Sequence, residues 1–244
     1  ERCSKMDVPM RHPYAGKLVF TAFSGSHQDA INKGMQAMHE KNQEWWEVPY
    51  LPIDPSDIGR EYEPIVRINS QSGKGGVAFV MDSEFGYKLP KRMHKEFADV
   101  IQKIAEEQGE VAPATIMEVF EKEYLRKKTP YEFIRAKAED VAENETEVEV
   151  VFMAGEELKS AKAVGNGPLA ALKKLMADET GMDFTLVDYS QHALSKGSEA
   201  KAAAYICLHD NRTGKETYGV GVSANITRAG FRAFFSAVDR LIEN

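Results

Sequence analysis

Four stretches of the chain place chemistry-bearing residues among small or stiffening neighbours. In TAFSGSHQDAIN, residues 21–32, His27 follows Ser24, Gly25 and Ser26. A free imidazole changes charge near neutral pH and serves as general acid or base. The small neighbours let a substrate come close. The competing reading of His27 is a structural histidine near a helix start. In VPYLPID, residues 48–54, Tyr50 stands between Pro49 and Pro52. Fixed proline dihedrals predict an extended, stiff segment that aims the phenol; the alternative is a tyrosine packed on Trp45 or Trp46. In GNGP, residues 165–168, Asn166 and Gly167 precede a proline suited to the first turn of a helix. Glycine backbone and a helix N-terminus together favour an anion such as a free amino acid's carboxylate, against an ordinary turn and cap. LVDYSQHAL, residues 186–194, is able to close over an apolar side chain, or is simply a strand.

Other chemistries are poorly served. SGKGG at 72–76 lacks the G-x-x-x-x-G-K-[ST] spacing of a phosphate loop; Arg67, Asn69, Gln71 and Lys74 read instead as a hinge that touches a CoA-like anion. The six histidines, His12, His27, His39, His94, His192 and His209, contain no H-x-H or H-x-x-x-H pair, and Cys3 and Cys207 lie far apart. No dedicated metal site, and no cofactor, is expected within the chain. Two cysteines exclude a disulfide scaffold and suit a reducing cytosol. A net charge of −7 argues against a nucleic-acid surface. No apolar run reaches the roughly 20 residues that span a bilayer, and ERCSKMDVPM has no signal-peptide core, so a cytoplasmic protein without membrane contact is expected.

The elements that must position these residues form three blocks. Residues 1–62 hold an irregular start, a short apolar strand or arm over Leu18–Ala22, and a helix from about Ser26, with Ser24 or Ser26 as cap and Ala30, Ile31, Gly34, Met35 and Met38 at helical spacing. Residues 63–128 read as a small helical domain. One helix starts near Pro90, with Met93, Phe97, Val100, Ile101 and Ile104 inward and Gly109 as stop; another starts at Pro113. LRKKTP, 125–130, marks the boundary. Residues 129–244 change character: a strand through Val148–Phe152, a turn at 153–157, and a strand to Ala163. A helix after GNGP, strands near 183–194, 200–209 and 216–222, and a Phe-rich closing helix follow. If Tyr131–Val141 contributes a strand, this is βββα twice, a weak internal repeat of architecture with helices on one face of a mainly antiparallel sheet. The fold class is α+β.

RHPYAGKLVFTAFSGSHQDAINKG (11–34), VPYLPIDPSDIGREYE (48–63) and RINSQSGKGG (67–76) resemble the segment that follows the catalytic barrel in α-isopropylmalate synthases. GNGPLAA (165–171), DYSQHALSKGSEAKAAAY (188–205) and GVGVSANI (219–226) resemble that family's leucine-sensing domain. The resemblance covers nearly the whole chain. It implies the accessory and allosteric portion of an acyltransferase that condenses acetyl-CoA with 2-oxoisovalerate in leucine biosynthesis. The (β/α)8 barrel and its H-x-H pair are absent from this chain, so the divalent metal (Zn, Mg or Mn) belongs to that barrel and the chain alone is expected to be inactive. By motif, the resemblance makes His27 and Tyr50 the residues that reach the partner subunit's active site in a homodimer, His27 assisting proton transfer and Tyr50 positioning substrate or reporting the inhibited state. It assigns L-leucine, as feedback inhibitor, to Asn166, Gly167 and Ala170 around its charged groups and to Leu169, Leu186, Tyr189, Ala193, Ala200 and Ile226 around its isobutyl group, with His192 as a polar contributor. Ser190 stands where some relatives carry an aromatic residue, which leaves the amino-acid preference open. The competing classes are a self-standing amino-acid-binding module and a dimerisation fragment with a vestigial pocket.

Overall fold

The computed structural model describes residues 8–9, 12–16, 25–42, 45–59, 68–69, 73–125, 130–195, 197 and 200–243. The arm expected at Leu18–Ala22, the cap Ser24, and Arg67 and Gln71 lie outside them. The chain divides into two compact units, residues 1–84 with 94–117, and residues 85–93 with 118–244.

In the first unit, α1 spans Gly25–Lys41. Ile31 on its inner face is buried against Val48 and Leu51, with Met35, Met38, Trp46 and Ile53 packed around them. Gly34 lets the following segment pass close, because a Cβ there would meet Pro49 Cδ at 2.6 Å. The segment is not extended as the prolines suggest. Leu51 N–H donates to Val48 O at 3.3 Å and Tyr50 has φ +65°, the type II pattern with proline second and a left-handed residue third. A helix not expected from the sequence, α2, runs over Lys74–Phe85 and buries Val77, Val80 and Met81. Its opening Gly75 and Gly76 are poor helix formers, but Val77, Val80 and Met81 recur at three- and four-residue steps, and their burial outweighs propensity. α3 (Met93–Gln108) ends where Gly109 turns left-handed and returns its N–H to Ala105 O, as its sequence predicts. α4 spans Pro113–Phe120, of which residues 118–120 and the π-turn that follows, Glu121–Leu125, belong to the second unit.

The second unit is built from two βββα repeats. β1 (Tyr131–Ala142), β2 (Glu145–Ala154) and β3 (Glu157–Gly165) form one antiparallel sheet in that order, followed by α5 (Pro168–Thr180). β4 (Phe184–Ala193), β5 (Ala202–Asp210) and β6 (Glu216–Ser223) form a second, followed by α6 (Ile226–Glu243). The sheets are separate rather than one. α6 packs on β5 and β6 and also on β1. Phe231 and Phe235 meet Phe133 of the first sheet at ring distances of 5.9 and 5.6 Å, while Phe234 meets Phe184 of the second at 5.8 Å. Packed against both sheets, α6 buries every residue from Ala229 to Leu241 except Arg232 and Ser236. Its buried Asp239 accepts the Tyr131 N–H at 2.9 Å and so ties down the start of β1.

Glycine sets the spacing between layers. A Cβ at Gly219 or Gly221 of β6 would overlap the α6 backbone at Ala229, Ala233 and Ala237, and one at Gly165 would overlap α5 at Ala170 and Ala171. At these points the helix backbone lies directly on the strand; elsewhere side chains such as Ile206, Leu208, Leu172 and Phe234 fill the space between the layers. On the other face of the second sheet, residues 85–93 form a strap. Lys88 N–H donates to His192 Nε2 at 3.1 Å, the Tyr87 ring meets Phe120 at 5.0 Å, and Arg92 pairs with Glu216 at 3.1 Å.

Candidate functional site: an apolar cavity at two helix starts

Each unit assembles one group of candidate residues. In the first, His27 lies in the opening turn of α1 and its ring sits 4.2 Å from the Tyr50 ring, tilted by 35°. The four-residue helical step from His27 to Ile31 explains the pairing. Ile31 is buried against Val48 and Leu51, and the tight turn between those two projects Tyr50 back along the helix toward His27. Both side chains are exposed, Tyr50 by 62%. A bulky residue at φ +65° is uncommon and carries strain, so an exposed tyrosine held there by a buried flank is a feature that packing alone does not require.

In the second unit, Asn166, Gly167, Leu169, Ala170, Tyr189 and Ile226 line one cavity of about 360 Å³, together with Pro168, Thr227, Gly230 and Phe231. The volume lies near the lower end of the roughly 300–1,000 Å³ of small-molecule sites. Three elements build it. The start of α5 supplies residues 166–170, β4 supplies Tyr189, and the first two turns of α6 supply 226–231. The two helix starts differ electrically. At α6, Asn225 Oδ1 accepts the Arg228 N–H at 2.9 Å. At α5, Gly167 offers no side-chain cap. Ala171 N–H to Gly167 O, 3.0 Å, is the first rung, and the N–H groups of Leu169 and Ala170 precede it. Pro168 has no N–H to satisfy. The positive end of α5 is thus directed into an otherwise apolar space. Gly167 takes φ +152°, a conformation that L side chains rarely adopt. Tyr189 is partly exposed and donates its hydroxyl to Gln191 Oε1 at 2.8 Å; burial of its ring holds the phenol above its usual pKa, so it remains neutral.

The other named residues lie elsewhere. Leu186 packs against the core of the unit. Ala193 is exposed at the end of β4, paired with Ala202, and Ala200 sits in the following loop, its N–H bonded to Gly197 O. His192 faces away from the cavity because three positions along a strand invert the side-chain direction. Its Nε2 accepts the Lys88 N–H and contacts the Tyr205 hydroxyl at 3.0 Å, while Nδ1 lies 3.1 Å from Ala193 O. The sequence reading missed Pro168, Thr227, Gly230 and Phe231. The signal was present, since Ile226 with Gly230 and Thr227 with Phe231 are four-residue steps on adjacent rows of one helix. Among the described residues, no three His, Cys, Asp or Glu side chains form a group able to hold a metal ion, and no helix is long and apolar enough to cross a membrane.

Comparison with known proteins assigns both units. Residues 17–82 match the family model of the α-isopropylmalate synthase post-catalytic domain, and residues 110–242 match that of the LeuA allosteric (dimerisation) domain. A 2-isopropylmalate synthase of Clostridium acetobutylicum is 46% identical over 246 residues, an alignment covering 98% of this chain and 44% of that protein. Those of Corynebacterium glutamicum (strain R) and Mycobacterium ulcerans are 43% and 44% identical, covering 100% and 98% of this chain but 42% and 44% of their own lengths. The chain thus spans less than half the length of the curated relatives it matches, and it aligns with their C-terminal part. The chain belongs to the α-isopropylmalate synthase family, of which it comprises the post-catalytic region and the LeuA allosteric (dimerisation) domain.

Proposed function

We propose that this chain is the accessory and leucine-sensing portion of a cytoplasmic, homodimeric acyltransferase that condenses acetyl-CoA with 2-oxoisovalerate. The observation that carries the sensing role is the convergence of Asn166, Gly167, Leu169, Ala170, Tyr189 and Ile226 on one apolar cavity at the uncapped start of α5. A free amino acid presents a carboxylate and a side chain from one carbon. The carboxylate is received by the first-turn N–H groups of α5, and an apolar side chain fills the space between Leu169, Tyr189 and α6. Ile226, 54% exposed at the rim, is a surface for a second subunit to cover. A ligand enclosed by two subunits is sensitive to their arrangement, which is what coupling between sites requires.

The first unit has a catalytic-accessory role in this reading. His27 assists a proton transfer and Tyr50 positions the substrate at the mouth of a barrel contributed by the longer protein. Any divalent metal sits in that barrel, where it would polarise the keto group. The match of residues 17–82 to a post-catalytic domain supports this over a self-standing amino-acid-binding module.

Calorimetric titration of the chain with leucine, with isoleucine and valine as controls, tests the sensor. Saturable binding that prefers leucine is expected. Gly167→Asp, which puts a negative charge and a strained backbone at the start of α5, should abolish it. Leu169→Ala, which leaves the backbone untouched, should weaken it about tenfold. A folded chain that binds none of the three amino acids would refute the sensing role.

A further inference from the structure

Gly230 occupies the second turn of α6, and nothing in the fold asks for a glycine there. The backbone is helical, a conformation every residue adopts, and glycine inside a helix destabilises it relative to alanine. Packing does not require it either. At Gly165, Gly219 and Gly221 an added Cβ would overlap the backbone of a neighbouring element. At Gly230 it would meet Tyr189 Oη at 3.6 Å, Leu169 Cδ2 at 3.7 Å and Tyr189 Cε2 at 4.0 Å, all ordinary van der Waals contacts. A methyl group would fit, and by filling space between α6, β4 and α5 it would improve the packing of the ligand-free protein.

The atoms it would touch belong to the cavity wall. A Cβ at this position is therefore accommodated only by taking volume from the cavity. With a carboxylate held at the start of α5, the side chain of a bound amino acid is directed across Leu169 and Tyr189 toward α6. We infer that Gly230 determines the ligand specificity of the cavity: its missing side chain is the space that admits the branched end of an apolar amino-acid side chain. This rests on the amino-acid-sensing reading and adds to it the residue that sets the permitted size.

Two measurements on the full 244-residue chain test it. Without ligand, Gly230→Ala should raise Tm by about 2–4 °C, whereas Gly219→Ala, in which the added methyl has no room, should lower it. In calorimetric titrations, Gly230→Ala should weaken leucine binding by about tenfold or more and valine binding by less, so that the leucine-to-valine affinity ratio falls. Unchanged leucine affinity and an unchanged ratio would overturn the role of Gly230 while leaving the sensor standing. A lowered Tm for Gly230→Ala would also overturn it, by showing that packing demands the glycine. Wild-type chain that binds no amino acid would overturn the sensing reading itself, a distinct result.

Discussion

Tyr50 holds its left-handed φ because Val48 and Leu51 on either side are buried. The strain of a bulky residue there is about 1–2 kcal/mol. Tyr50→Gly relieves that strain while removing only an exposed ring, so its unfolding free energy by urea denaturation should lie within about 1 kcal/mol of wild type. Leu51→Ala, which empties a buried site, should lose about 2–4 kcal/mol. A second residue-scale consequence concerns Tyr218, which donates its hydroxyl to Asp188 Oδ2 at 2.7 Å across the intervening strand β5. Burial, and then the bond to Asp188, raise its pKa far above the ordinary phenol value of 10.0. The folded state therefore keeps a proton that the unfolded state releases. This contribution to stability is complete below about pH 10 and declines as pH rises beyond it. Alkaline unfolding followed by phenolate absorbance should show Tyr218 ionising with unfolding, and Tyr218→Phe should flatten the loss of stability above pH 10. Asp210 behaves in the opposite sense. Its bond from Thr213, 2.7 Å, and that from the Arg212 N–H hold its carboxyl below the usual carboxylate range. Its contribution is present above about pH 4 and lost as pH falls further. Thr213→Val should move its titration upward in a carbon-detected NMR pH series.

At the scale of elements, the second sheet and α6 are joined by the absence of side chains at Gly219 and Gly221 and by one buried cation. Arg240 directs Nε to Thr217 Oγ1 at 3.3 Å and Nη1 to the Glu123 carboxylate and carbonyl at 3.1 Å each, with its guanidinium 4.2 Å from the centre of the Tyr124 ring. It fastens the π-turn to α6. Arg240→Ala leaves the Glu123 carboxylate without this partner and should lower stability by about 3 kcal/mol. Arg240→Lys, which lacks the planar fork, should recover only part of that by urea denaturation. The strands and helices of this unit were legible because their periodicities are strong. Val148, Val150 and Phe152 alternate, and the phenylalanines of α6 recur at helical steps. α2 was not legible, since Gly75 and Gly76 look like loop residues and only burial of Val77, Val80 and Met81 makes them helical. His192 stands three positions from Tyr189 on one strand, and that odd separation, readable in the sequence, places the two side chains on opposite faces. The Tyr50 turn was concealed because proline followed by a bulky residue suggests extension, whereas burial on both sides imposes the bend.

At the scale of the molecule, the repeat explains why the cavity lies where it does. Each βββα unit ends in a helix, and the starts of both helices meet at one cavity. The sequence shows the repeat as two runs of three strands and a helix, but it does not show that α6 is shared with the first sheet. That depends on the pairing of Phe133 with Phe231 and Phe235, contacts about a hundred positions apart. Gly181 to Asp183 form the short connection between the two repeats, with Gly181 and Asp183 exposed. A chain cut there would yield one fragment carrying Gly167 and Leu169 and another carrying Tyr189 and Gly230. Neither fragment owns a complete cavity, so an amino acid lodged between them would act as a fastener. Reassociation of the pieces would then report the concentration of the ligand, making this domain a natural scaffold for a split biosensor.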